Sequence, residues 1–327
     1  MLNLKNKTIL ITGGTGSFGQ RFVKRLLSIE DVKSIIVFSR DELKQFEMYQ
    51  KFTDPRLKFL LGDVRDYDRL YRCFENVNYV IHAAAMKQVP ASEINPTEAI
   101  KTNVTGAENV INACLDRKVE KVVTLSSDKA ANPANLYGAT KLCSDKLFIF
   151  ANNLPSNSVT KFSVVRYGNV LGSRGSVIPF FHQQKDFIPI TDEKMTRFWL
   201  TLGQGVDFVL QALNNMLGGE IFIPKIPSLG IMDVADVVAP NLPKKIIGIR
   251  PGEKLHEIMI TQDDARNTYE FTDHFRIYPS QNHAKEALLR PDFIKQVGPD
   301  FTYSSNSNDV WLSKNEFKQI LIEENLI

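Results

Sequence analysis

Residues Thr8-Ile-Leu-Ile-Thr12-Gly13-Gly-Thr-Gly16-Ser-Phe-Gly19 decide how the chain folds. The first five are β-branched or aliphatic and read as a strand buried on both faces. Glycines then stand three apart at 13, 16 and 19, where they permit a tight turn and a close backbone approach to a ligand. Phe18, Phe22 and Leu26 recur every four residues, one face of a helix. A helix beginning there offers free N–H groups and the positive end of its dipole to an anion. Glycine-rich strings also mark ordinary turns. At a first strand–helix junction, however, this one predicts a dinucleotide site built from Gly13, Thr15, Gly16, Ser17, Phe18 and Gly19.

The same alternation continues outward. Apolar runs at 34–38, 57–61, 79–83, 121–125 and 162–166, most of them β-branched, each read as a strand buried on both faces. Helical patterns lie between them, among them Ala139, Cys143 and Leu147. The fold class predicted is α/β: a doubly wound parallel sheet of the Rossmann type. After residue 170 glycines and prolines interrupt the rhythm. We assign residues 1–170 plus 196–224 to the dinucleotide-binding domain, with a helix at 203–217 and a strand at 220–223 returning to the sheet. Residues 171–195 plus 225–327 are assigned to a smaller α/β substrate-binding domain.

Composition narrows the function. The 327 residues carry 40 Lys and Arg against 37 Asp and Glu, a net charge of +3. That balance argues against a protein that coats nucleic acid or a membrane surface. Cys73, Cys114 and Cys143 are odd in number and far apart, so neither a disulfide framework nor a cysteine zinc site is expected. The five histidines lack metal spacing, and no metal is expected. With no apolar run long enough for a membrane span or a signal-peptide core, a cytoplasmic location is expected.

The second strand ends Ser39-Arg40-Asp41-Glu42-Leu43-Lys44. Ser39 stands where an NAD site usually places an acid for the ribose hydroxyls. Arg40 and Lys44 suit a 2′-phosphate, so NADP is the cofactor expected. Asp63 and Val64 follow the third strand, and Asp63 is placed to bond the adenine. Ala83, Ala84 and Ala85 are small where the cofactor backbone would pass, and Val170 closes the same wall.

Behind the fifth strand come Ser126-Ser127-Asp128-Lys129 and Tyr137-Gly-Ala-Thr-Lys141. Tyr137 and Lys141, four apart, share a helix face. An ammonium beside a phenol lowers its pKa, which would make Tyr137 a usable base, with Ser127 bonding the same substrate oxygen.

At these residues the chain resembles the extended short-chain dehydrogenases/reductases. Within them it is similar to the UDP-N-acetylglucosamine 4,6-dehydratases that invert carbon 5 and open the pseudaminic acid pathway. The resemblance spans nearly the whole chain. Besides the glycine loop it rests on Ala83-Ala-Ala-Met-Lys-Gln-Val-Pro90, Asp128-Lys-Ala-Ala-Asn-Pro133, Arg166-Tyr-Gly-Asn-Val170, Gly172-Ser-Arg-Gly-Ser-Val177, Met195-Thr-Arg-Phe198 and Ile249-Arg-Pro-Gly-Glu-Lys254. Retaining dehydratases typically carry Asp-Glu where this chain has Asp128-Lys129.

The resemblance implies catalysis by Ser127, Asp128, Lys129, Tyr137 and Lys141, with Asp128 protonating the departing O6. Either Lys129 or Tyr137 would remove the carbon-5 proton. Asp128 would then be protonated and Lys129 neutral, a state to which burial would contribute. The substrate implied is UDP-N-acetylglucosamine. Its contacts would be Lys87, Ser127, Asn169, Arg174, Gly175, Ser176, Val177, Arg197, Arg250 and Glu253, the arginines gripping the pyrophosphate. A homo-oligomer, often a hexamer, is implied by analogy. The segment from His182 to Pro189 is shorter than the helix the family would have there. A UDP-sugar 4-epimerase, a retaining dehydratase and a non-catalytic NADP-sensing module remain the competing readings.

Overall fold

The computed structural model describes residues 4–154, 159–285 and 287–327. Among them, ten strands form one sheet. In chain order they are β1 (Thr8–Thr12), β2 (Ser34–Ser39), β3 (Leu57–Leu61), β4 (Tyr79–His82), β5 (Lys121–Ser127), β6 (Lys161–Tyr167), β7 (Ile221–Pro224), β8 (Thr268–Phe271), β9 (His274–Ile277) and β10 (Phe293–Gln296). Across the sheet they run β3-β2-β1-β4-β5-β6-β7-β9-β8-β10. The first seven are parallel and the last three antiparallel. The winding direction reverses between β1 and β4, which opens a crevice at the strand C-termini where α/β sheets bind ligands.

The double-sided burial expected of the strands holds throughout β1, β2 and β4. β3 departs from it: only Leu57 is buried, because this strand forms the sheet edge.

Two domain boundaries need correction. Residues 268–296, assigned to the smaller domain, instead extend the main sheet as β8, β9 and β10. β9, His-Phe-Arg-Ile, alternates polar and apolar residues, yet every residue in it is buried. Aromatic stacking accounts for this. The His274 ring lies 4.8 Å from that of Phe271. The Arg276 guanidinium sits 4.3 Å from the Phe271 ring and 4.7 Å from Phe222.

The second correction concerns the strand Thr196–Leu200, which we assigned to the main domain. It pairs with Asn169–Val170 and Ser228–Gly230 in a separate three-stranded sheet. Its side chains alternate between two cores: Phe198 and Leu200 join the main core, and Trp199 joins the second. The helix Leu202–Asn215 and β7 do return to the main sheet, as expected. The second core gathers Leu171, Ile178, Phe181, Ile188, Leu229 and Phe317 from remote segments. Its helix Val177–His182 is only six residues long and leads directly to the short strand Ile188–Ile190.

Candidate active site

The glycine loop is shaped by close backbone contact. Gly13 has φ of +66°, and a Cβ there would lie 2.9 Å from the Ala84 backbone. A Cβ on Gly19 would lie 2.4 Å from the Gly14 carbonyl oxygen. No side chain caps the helix Ser17–Leu27, so its first N–H groups are left for an anion. A nicotinamide dinucleotide therefore fits this cradle. Gly19→Ala displaces loop backbone rather than a flexible side chain, and overpacking of that kind costs ~1–3 kcal/mol. We expect about a tenfold or greater loss of nicotinamide dinucleotide affinity by calorimetric titration; unchanged affinity would contradict the fit.

A cavity of about 960 Å³ runs from this loop to the second core. Its wall contains every residue predicted for cofactor and substrate except Asp63, and every predicted catalytic residue except Asp128. At the adenosine end, Gln45 Nε2 donates to the buried Ser39 Oγ at 3.0 Å. Asp41 caps the helix Glu42–Lys51 and lies 2.6 Å from Lys44 Nζ. Arg40 is 56% exposed on its side chain, with Nη1 3.6 Å from Asp63. The Asp63 carboxylate receives Arg65 Nε and Nη2 at 2.9 and 2.6 Å. Burial pushes Asp63 up, but the Arg65 hydrogen bonds and the Arg65 and Arg40 charges together hold it below its ordinary value. Asp63 therefore anchors two arginines and stands outside the cavity wall.

At the catalytic end, β5 delivers Ser127, and a single 3-10 turn, Asp128–Ala130, follows. Asn135 caps the helix Leu136–Phe150, which presents Tyr137 and Lys141, both buried. Asn103 braces this helix: its Nδ2 donates to Thr140 Oγ1 at 3.0 Å and to the Met86 carbonyl at 2.9 Å. It lies in a π-helical turn, Lys101–Thr105, a distortion that often marks functional sites and leaves no periodicity to read.

The expected electrostatics need correction. Burial raises the Tyr137 phenol; the Lys129 ammonium and the Ser127 hydroxyl oppose it without reversing the shift. Lys129 is thus a cation that favours phenolate. Burial lowers Lys141, against the pull of Asp145. Lys129 itself is not held neutral by burial. The carboxylates of Asp128 and Glu257 more than offset desolvation and keep its ammonium above its ordinary value. The distances agree: Lys129 Nζ is 3.0 Å from Asp128 Oδ1 and 3.1 Å from Glu257 Oε1. Asp128 is 1% exposed and lies behind the wall, its Oδ1 also accepting from Ser127 Oγ at 2.9 Å.

Glu257 and Lys254 are site residues missed by sequence reasoning. Lys254 ends the Ile249–Lys254 motif quoted above, and the charge density of Arg250, Glu253, Lys254 and Glu257 was the signal for Glu257. Arg197 also takes a different part. Its Nη1 donates to the carbonyls of Thr196 and Leu255, and its Nη2 to that of Lys254, at 2.7, 3.0 and 3.0 Å. Its fork pins the 254–255 segment while the side chain lines the cavity. Arg174 is at hand: its backbone N–H donates to Ser17 Oγ at 3.2 Å, joining the second core to the phosphate loop. Arg250 lies 3.6 Å from Glu253. Lys87 is lowered by burial.

His82 is a core residue, 2.8 Å from Thr12 Oγ1 and pushed down to about 3 by burial and the Lys141 charge. Among the described residues, no cluster of His, Cys, Asp and Glu is suited to a metal.

A family model described as polysaccharide biosynthesis protein matches residues 9–279. A relative named UDP-N-acetylglucosamine 4,6-dehydratase (inverting), from Campylobacter jejuni subsp. jejuni serotype O:2, is 54% identical over 98% of each chain. A UDP-glucose 4-epimerase from Rickettsia canadensis is 40% identical over 98% of this chain and 97% of its own. The X-ray structure of Pen from Bacillus thuringiensis matches with a TM-score of 0.91 at 38% identity, covering 100% of both chains. The chain belongs to the polysaccharide biosynthesis protein family, and its fold is that of an extended short-chain dehydrogenase/reductase.

Proposed function

We propose that the protein is a UDP-N-acetylglucosamine 4,6-dehydratase that inverts carbon 5 and uses NADP. One observation carries this reading. Lys129 lines the cavity with Tyr137 while its Nζ is bonded to Asp128, so a base and an acid for elimination stand side by side. The 54% identical relative bearing that name supports the substrate.

A bound nicotinamide dinucleotide supplies the hydride acceptor for C4 and the hydride donor for C6. The chain's own residues manage protons and position. The glycine loop and the helix after it hold the cofactor pyrophosphate, and Arg40 and Lys44 hold the 2′-phosphate. Arg174, Arg250 and Lys87 hold the UDP pyrophosphate. Tyr137, as phenolate, takes the proton from sugar O4 while Ser127 Oγ orients that oxygen. The resulting 4-ketone acidifies the hydrogen on C5. Transfer of one proton from Lys129 to Asp128 across their 3.0 Å bond yields a neutral amine beside a carboxylic acid. Lys129 then removes the C5 proton. The Asp128 proton reaches the leaving O6 through Ser127, which both touches Asp128 and lines the cavity. Water leaves, and a proton returns to C5 from the opposite face.

Mass spectrometry of UDP-N-acetylglucosamine incubated with the protein tests this reading. Loss of one water is expected. An unchanged mass with a C4 epimer formed would favour the second reading, a 4-epimerase, which the 40% identical relative's name raises. The cofactor choice has its own test. Arg40→Ala removes a charge-assisted bond worth ~1.5–3 kcal/mol, so NADP affinity falls about tenfold or more while NAD affinity changes little. Equal losses for both would contradict the 2′-phosphate contact.

A further inference from the structure

Glu257 is a buried carboxylate, 2% exposed, brought to the catalytic turn from the C-terminal part of the chain. Three cations converge on it: Lys129 Nζ at 3.1 Å, Arg197 Nε at 3.7 Å and Lys254 Nζ at 3.9 Å. Its backbone is fixed as well. Its N–H donates to Ser305 Oγ at 3.0 Å, and its carbonyl accepts from Ser305 N at 2.8 Å. Arg197 is committed to backbone carbonyls, and Lys254 Nζ donates to the Ala131 carbonyl at 2.7 Å. Among the three cations, Lys129 is therefore the one whose partners are both carboxylates, Asp128 and Glu257.

These two carboxylates have different work in the reaction proposed above. Asp128 must accept the Lys129 proton and pass it on, so it is neutral for part of the cycle. Glu257 has Arg197 and Lys254 beside it and takes no part in that proton transfer. When Asp128 is neutral, Glu257 is the remaining anion bonded to the Lys129 nitrogen.

We propose that Glu257 is a positioning residue for the carbon-5 step: it holds Lys129 Nζ at the cavity wall and sets the pH below which the Lys129–Asp128 pair takes up a second proton and can no longer offer a neutral amine. The proposal rests on the reading of Lys129 as the C5 base. The other groups facing Lys129 are Asp128 in its own turn, Tyr137 on the catalytic helix, Arg197 on the strand Thr196–Leu200, and Lys254.

The test is the pH profile of deuterium uptake at C5 from D2O, measured on the full chain loaded with NADP and UDP-N-acetylglucosamine. An adjacent carboxylate favours an ammonium by about 1–3 pKa units. Glu257→Gln should therefore move the acid limb of the profile down by about one unit or more, and Glu257→Asp should restore it most of the way. A lower rate with the limb unmoved would make Glu257 merely structural and overturn the proposal. If Glu257→Gln does not fold, Lys254→Met decides. Removing that cation strengthens the hold of Glu257 on Lys129, so the limb should move up; an unmoved limb overturns the proposal. Lys129→Ala separates the two levels. Exchange that survives in Lys129→Ala overturns the reading of Lys129 beneath the proposal. Exchange that is lost, alongside an unmoved Glu257→Gln limb, overturns the Glu257 assignment alone.

Discussion

Tyr137→Phe is expected to lower turnover of UDP-N-acetylglucosamine by roughly 10²–10⁴-fold, the usual contribution of a positioned general base, while NADP stays bound. Phenylalanine preserves the buried ring and removes only the hydroxyl. Helix and cavity should therefore persist, and the loss should fall on the chemistry. The readout is single-turnover formation of reduced nicotinamide, paired with calorimetric titration of NADP. In the ligand-free protein burial holds the Tyr137 phenol above its ordinary value. The base form thus grows as pH rises, and C4 oxidation should climb with pH in the unaltered protein and stay flat in the variant. Undiminished oxidation in Tyr137→Phe would remove Tyr137 from the role.

The second large effect belongs to Lys129→Ala. Deuterium uptake at C5 should fall by roughly 10²–10⁴-fold, and C4 oxidation by much less. The two steps separate because Lys129 acts on Tyr137 only through its charge but acts on C5 as the proton acceptor. The variant leaves Asp128 and Glu257 as buried carboxylates that have lost their shared cation, so its melting temperature should also drop. A circular dichroism melt distinguishes this from unfolding at the assay temperature. Unchanged C5 exchange in a folded Lys129→Ala protein would move the base to Tyr137.

Local pattern carried much of the architecture. β1, β2, β4, β5 and β6 are short apolar runs buried by neighbouring strands and helices, and that burial imprints β-branched composition on the sequence. The glycine loop was equally legible, because Gly13 and Gly19 stand where a Cβ would meet backbone. Tyr137 and Lys141 were legible because helix geometry alone places them together. What escaped depends on contacts between remote segments. β9 hides its burial behind His274 and Arg276, which only the rings of Phe222 and Phe271 make tolerable. Thr196–Leu200 divides its side chains between two cores, which no single-strand pattern reveals. Glu257 lies far along the chain from Lys129, and only the folded chain joins them. The Arg197 motif was visible, but the occupation of its fork by backbone carbonyls was not.

The measurement that bears most directly on inversion at C5 is proton NMR of UDP-N-acetylglucosamine incubated with the purified protein and NADP in D2O. A new C6 methyl signal, deuterium at C5 and L-arabino ring couplings are predicted. A methyl signal with D-xylo couplings would contradict inversion and the part given to Lys129, and the absence of any methyl signal with cofactor bound would contradict dehydration of this sugar altogether.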